Sequence, residues 1–248
     1  MWKSIIFLLI FSQSAFAYKF TKDFQNGFYW QNLPISITVV ENSDPSLKST
    51  LETLTENAVN EWHQSTGLTL WNYQPGIQSS NVIRWTKKFK AETSMDEASV
   101  LAVAIRYTDG PYFAKTEIVI NGNHPLNYNL TYLFTTIKHE LGHTMGLDHS
   151  DVRSSIMWPE LQGYGVGIDT DDVQGMTAAH DTMVDRQLTR YVSPLAYEES
   201  SQTNGMSCGT VTTTQSGAMQ GLFSLISGIL ISFVRRLKSR LSIFKFFR

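Results

Sequence analysis

Apolar residues at Leu47, Leu51, Leu54, Ala58, Val59 and Trp62 recur three and four places apart. That spacing places them on one face of a helix. Asp44-Pro45 opens the run with proline in the first turn, and Gly67 stops it. Ahead of it, residues 35–40 (ISITVV) are β-branched and predict a strand. Beyond it, residues 68–73, 81–86, 100–107 and 115–121 predict four further strands, separated by turns rich in Gly, Pro and Ser. A second helix is expected over residues 130–145. A third is expected over residues 170–183, opened by Asp171 and Asp172, whose charge suits a helix N-terminus. The order is strand, helix, four strands, helix, loop, helix, which predicts an α/β domain over residues 18–191.

The two ends break this pattern. Residues 1–17 carry Lys3, an apolar run from Ile5 to Phe11 and then Ala15-Phe16-Ala17. These are the three parts of a secretory signal peptide, with Tyr18 as the mature N-terminus. Residues 192–216 are expected to be a linker, because the chain from Ser201 to Gly217 is rich in Ser, Thr, Gly and Gln and carries no charge. Residues 217–234 are uncharged and mostly apolar, and six Lys or Arg follow from Arg235 onward with no acid. As a helix that stretch reaches about 27 Å, just short of a hydrocarbon core. The basic cluster after it fits the positive-inside rule, so residues 217–248 are expected to tether the domain to a membrane from outside. The alternative is an amphipathic surface helix from Ile229. Cys208 ahead of this segment resembles the processing or anchoring residue of bacterial sorting tails; otherwise it is an inert thiol.

Composition adds limits. The chain is 42% apolar and 17% charged, ordinary for a globular domain, and its net charge of -2 gives no basic field for nucleic acid. Cys208 is the sole cysteine, so no internal disulfide is possible and packing must hold the fold. Asn129-Leu130-Thr131 is formally a glycosylation sequon.

The chemistry concentrates in His139-Glu-Leu-Gly-His143-Thr-Met-Gly-Leu-Asp-His149. Residues four apart on a helix share a face, so His139 and His143 can converge on one ion. Glu140, one step round, can reach water without ligating. Gly146 can take a positive φ, end the helix and return the chain so that His149 becomes the third ligand. Three neutral imidazoles leave a fourth position open, which is the catalytic arrangement of zinc. The full pattern would arise by chance in roughly one such chain in a hundred thousand, so a helix with merely solvated histidines is set aside. His63, His124 and His180 have no such company and are expected to be structural.

The string HExxHxxGxxH resembles the metzincin metallopeptidases, and its neighbours resemble the matrixin branch. Ser150 follows the third histidine, Met157 stands eight residues after it, and Ser155-Ile156-Met157-Trp158-Pro159 is similar to the matrixin Met-turn. The run Asp171-Asp172-Val173-Gln174-Gly175-Met176 is similar to the opening of that family's last catalytic helix. The resemblance covers residues 35–181. It implies an α/β (α+β) metzincin-like fold: a twisted five-stranded mixed sheet, an active-site helix, a Met-turn and a C-terminal helix. It implies that Met157 floors the metal and that Asp171 and Asp172 brace the Met-turn. Pro159 stands where astacins and serralysins carry a tyrosine ligand, so no such ligand is implied. Animal matrixins hold a structural zinc and calcium through His and Asp between the third and fifth strands. Residues 100–121 have no His and one Asp, Asp109, so no second zinc is expected, and these residues make no case for calcium. A Pro-Arg-Cys-Gly switch is absent.

The sequence therefore predicts an exported endopeptidase at the periplasm or cell surface, or secreted, with one catalytic Zn2+. Glu140 is the general base, and the family resemblance implies that protein or peptide substrates lie along an edge strand at residues 100–107. Residues 158–167, with Leu161 and Tyr164, are expected to wall an apolar pocket. The rival reading is a zinc-stabilised adhesion module without catalysis, which the presence of Glu140 disfavours.

Overall fold

A computed structural model describes residues 17–40, 45–161, 166–197 and 205–210, the last as backbone. The expected signal segment (except Ala17) and the expected membrane tail at residues 217–248 lie outside the described residues. Among the described residues, no helix is long and apolar enough to cross a membrane.

The chain runs β1 (Lys19–Phe20), α1 (Lys22–Gln25), β2 (Tyr29–Trp30), β3 (Ile35–Val39), α2 (Lys48–Thr66), β4 (Trp71–Tyr73), β5 (Val82–Thr86) and α3 (Phe89–Thr93). It continues with β6 (Val100–Asp109), β7 (Tyr112–Asn121), α4 (Leu130–Thr144), β8 (Leu147–Asp148), α5 (Thr170–Thr189) and β9 (Gly205–Thr210). All five predicted strands and three predicted helices are present. Pro45 opens a 3-10 turn rather than α2 itself, and Gly67 caps α2 with φ +71.

The sheet differs from the expected five strands. It has seven, in the order β4-β3-β5-β7-β6-β9 with β2 beside β7, and β1 pairs separately with β8. Strands β3, β4, β5 and β7 run parallel, whereas β6 runs antiparallel to both β7 and β9. Two expectations are thereby corrected. Residues 205–210, inside the expected linker, form a strand, and residues 100–107 are not an edge because β9 pairs along them. The sheet thus takes in residues 205–210, which lie beyond residue 191.

Alternation along β6 divides its side chains between two cores. Ala102 and Ala104 join the main core, while Val103 and Ile105 join a smaller one with Phe89, Val100 and Val119. The small alanines leave room for α4 to lie close over the sheet. Helix α2 packs against α4 through fully buried Trp62, whose indole Nε1 donates to the Lys138 carbonyl at 3.0 Å. Trp30 Nε1 donates to the Thr144 carbonyl at 2.8 Å and Trp71 Nε1 to the Thr144 hydroxyl at 3.0 Å. Helix ends leave carbonyls unsatisfied, so the indole of Trp30 both fills space and closes the end of α4. At its start, Asn129 of the sequon is the N-cap, accepting from Thr131 N and Tyr132 N.

Helix α5 extends past the expected Met183 to Thr189. Its N-cap is Asp169, which accepts from the Asp171 and Asp172 amides, while the Asp172 side chain accepts back from Asp169 N. This reciprocal capping box satisfies amides that would otherwise face water or nothing.

Candidate metal centre

His139 and His143 stand one turn apart on α4, with ring centroids 4.6 Å apart. Helix α4 ends at Thr144, and Gly146 turns the chain at φ +92. A Cβ on Gly146 would meet the Phe24 ring at 2.5 Å, so both conformation and space require glycine there. The turned chain forms β8 and delivers His149, whose ring centroid lies 5.3 Å from that of His139 and 5.0 Å from that of His143. One ligand atom from each of the three falls within 4.8 Å of the others, so the trio could hold a metal ion.

The ring tautomers favour this. The His139 Nδ1 lies 2.7 Å from the Ile156 carbonyl and the His143 Nδ1 lies 2.7 Å from the Leu147 carbonyl. A carbonyl only accepts, so each Nδ1 carries the proton and each Nε2 presents a lone pair. Those two Nε2 atoms face each other at 3.0 Å. Two lone pairs at that distance repel, and a shared cation converts the repulsion to coordination. Burial and then the neighbouring His149 push the His139 ring down to about 3, and burial, then His139 and His149, holds His143 well below the usual imidazole value. Neutral rings are the metal-binding form. The donor set fits zinc: three nitrogen ligands and no fourth histidine.

Met157 is buried, and its sulfur lies against Gly142, where a Cβ would overlap it. Met157 thus packs directly on Gly142, the residue before His143. Asp172 holds the turn that carries Met157. It accepts from Ile156 N at 2.7 Å, Met157 N at 3.2 Å and the Ser155 hydroxyl. Asp171 acts elsewhere than the expected Met-turn: it accepts from the Ser150 hydroxyl at 2.6 Å, next to His149, and from Tyr18 N at 3.0 Å. Ser150 N also donates to the Met157 carbonyl at 2.9 Å, joining the third histidine to the turn.

Glu140 is fully buried and lines, with His139, a cavity. Leu101, Thr136, Trp158, Pro159, Leu161 and Val166 complete much of its wall. This agrees with the expected pocket loop, although Tyr164 lies outside the described residues. Of the other histidines, His63 Nε2 accepts from Leu70 N and Trp71 N, and His124 Nδ1 from Leu126 N. Both serve the fold, as expected. His180 pairs with neighbouring Asp181.

Two supporting groups escaped the sequence. Arg106, 1% exposed on β6, donates to Asp23 at 2.8 and 3.1 Å and to the His143 carbonyl. Burial opposes the charge on Asp23, but Arg106 beside it outweighs that and holds its pKa below the usual carboxylate value. Lys138, 3% exposed, reaches Glu61 at 2.8 Å and the Val166 carbonyl at 2.7 Å. It ties the pocket loop to α2. The available signal was a single charge inside an otherwise buried stretch: Arg in VLAVAIRY, Lys immediately before His139.

Comparison with known proteins agrees with this geometry. The pattern of the Matrixin peptidase family matches residues 29–181. The chain is 44% identical over 52 residues to the hatching enzyme of Paracentrotus lividus, covering 20% of this chain and 9% of that protein. It is 22% identical over 156 residues to stromelysin-2 of Rattus norvegicus, covering 61% of this chain and 33% of that protein. It thus spans a third or less of the length of these relatives. The family match covers more than half of the 248 residues and contains every residue of the histidine centre, so the chain belongs to the matrixin family.

Proposed function

We propose that this protein is a zinc-dependent endopeptidase that hydrolyses internal peptide bonds of proteins. The observation that carries the reading is the convergence of His139, His143 and His149 within 4.8 Å, with His139 and Glu140 lining one cavity. When bound, zinc supplies a Lewis acid that polarises a carbonyl and makes water acidic enough to lose a proton near neutral pH. The protein's own residues do the rest. His139 and His143 keep their Nε2 lone pairs directed inward because the carbonyls of Ile156 and Leu147 hold their Nδ1 protons. Glu140 takes the proton of the attacking water and hands it to the leaving amine, and its burial keeps bulk water from competing. Met157 and Gly142 set the floor, Asp172 fixes the turn, and Asp171 fixes the segment after His149. The pocket bounded by Leu101, Trp158, Pro159 and Leu161 takes an apolar side chain of the substrate.

The same reading includes export directed by residues 1–17, cleavage before Tyr18, and attachment through residues 217–248. The domain then acts in the periplasm or at the cell surface. The stromelysin and hatching-enzyme names support a protein substrate without choosing one.

Hydrolysis of a broad peptide library, followed by mass spectrometry, tests the reading. Internal cleavage is expected, lost on chelation, restored by zinc and abolished in Glu140→Ala. One bound zinc with no cleavage of any peptide would defeat it, and stepwise trimming from one end would replace endopeptidase with exopeptidase.

A further inference from the structure

We propose that the chain's own segment Gly205–Thr210 occupies the peptide-binding lane of the site and acts as a built-in competitor of substrate. The inference rests on the peptidase reading above. Strand β6 carries β7 on one side and β9 on the other. Strand β9 runs antiparallel to it, from Arg106↔Gly205 to Ala102↔Gly209 and Val100↔Thr210. The register shifts between Val100 and Ala102, so Leu101 faces the interval between Gly209 and Thr210. Leu101 lines the cavity together with His139 and Glu140. The β9 backbone also comes within 8 Å of α4, the helix that carries them. An extended peptide that hydrogen-bonds to β6 and passes Glu140 needs this same lane, because the other side of β6 is filled by β7.

The composition suits a temporary occupant. The segment GMSCGT has two glycines and no charge, and it is six residues long. Glycine weakens strands, and a short uncharged strand is held chiefly by main-chain hydrogen bonds, the bonds a substrate would make. It therefore competes on equal chemical terms, with the advantage of being tethered. A tethered ligand at an effective concentration about ten times its own dissociation constant raises the apparent KM about elevenfold and leaves kcat unchanged.

The test uses the full chain with zinc and the double variant Ser207→Pro, Cys208→Pro. Alternate residues of an antiparallel strand face the partner, so one of these two neighbours donates to β6, and proline removes that donor. Hydrogen exchange at residues 102–106 is measured beside steady-state hydrolysis of a short peptide. Faster exchange in the variant, with KM lowered about tenfold and kcat held, is expected. A synthetic peptide of residues 203–211 should then inhibit the variant competitively. Faster exchange with unchanged KM overturns the proposal, as does a wild type whose β6 amides facing β9 exchange like an unpaired edge. If neither protein cleaves any peptide, the peptidase reading fails by itself. Occupancy is then decided by binding of the 203–211 peptide: tighter binding to the variant supports it, and equal binding to both overturns it.

Discussion

Replacing Gly146 by alanine should damage both the fold and the metal centre, and the size of the effect can be worked out. The backbone there has φ +92, which costs an L-residue about 1–2 kcal/mol. The new Cβ would also meet three Phe24 atoms at 2.5 to 3.0 Å, and Phe24 is 1% exposed. Forcing a buried ring aside costs about 1–3 kcal/mol more. The sum, about 2–5 kcal/mol, is a large part of a typical stability of about 5–15 kcal/mol. At about 2–4 °C per kcal/mol for a domain of this size, the midpoint should fall by about 4–20 °C. Gly67→Ala is the matched control: φ is +71, but nothing lies within 4 Å of the added Cβ, so only the backbone cost of about 1–2 kcal/mol applies. Because Gly146 leads directly into the strand that delivers His149, its variant should also bind zinc more weakly, whereas Gly67→Ala should not. Thermal unfolding and competitive zinc titration of both proteins measure these quantities. Equal midpoints for the two variants, with equal zinc affinity, would refute the reasoning.

Other consequences follow from the same geometry. Asp23→Asn strands the buried Arg106 charge and should cost about 3–5 kcal/mol at neutral pH. The native pKa of Asp23 lies below its ordinary 3.8, so its contribution is present above that value and lost as pH falls below it. The gap in unfolding midpoint between wild type and variant should therefore narrow in acid; a constant gap would contradict the pairing. Lys138→Met frees the Val166 carbonyl and should loosen the pocket loop. Discrimination among apolar side chains after the cleaved bond should drop by about tenfold in kcat/KM ratios, and unchanged ratios would argue that Lys138 serves packing alone. If export cuts before Tyr18, the nitrogen now 3.0 Å from Asp171 becomes an ammonium. A protein retaining Ala17 should then be less stable by about 1.5–3 kcal/mol, and identical melting of the two forms would deny that ion pair a role.

The site was more legible than its surroundings because its signals are local. Helical spacing of His139 and His143, the bend at Gly146 and the return of His149 all lie within eleven residues. Met157 and Asp172 were readable through family resemblance, although the resemblance assigned Asp171 to the Met-turn, whereas its oxygens hold Ser150 and Tyr18 N. Strand β9 was invisible for a physical reason. GMSCGT has no strand preference of its own, and its conformation comes from a partner about a hundred residues earlier. The last turn and more of α5 was missed because residues 184–189 carry little apolar periodicity. That stretch is fixed by polar tertiary contacts instead, with Arg186 donating to the Phe24 and Phe28 carbonyls and Gln187 to the Trp30 carbonyl. The Asp23–Arg106 pair joins residues 83 apart, and no spacing rule reaches across that distance.

The most direct test is anomalous scattering at the zinc edge from crystals of the full protein. One peak is expected about 2.0–2.1 Å from the Nε2 atoms of His139 and His143 and from a ring nitrogen of His149, with no fourth protein ligand. A peak elsewhere, a His149 ring turned away from it, or a protein side chain completing the coordination would contradict the central claim.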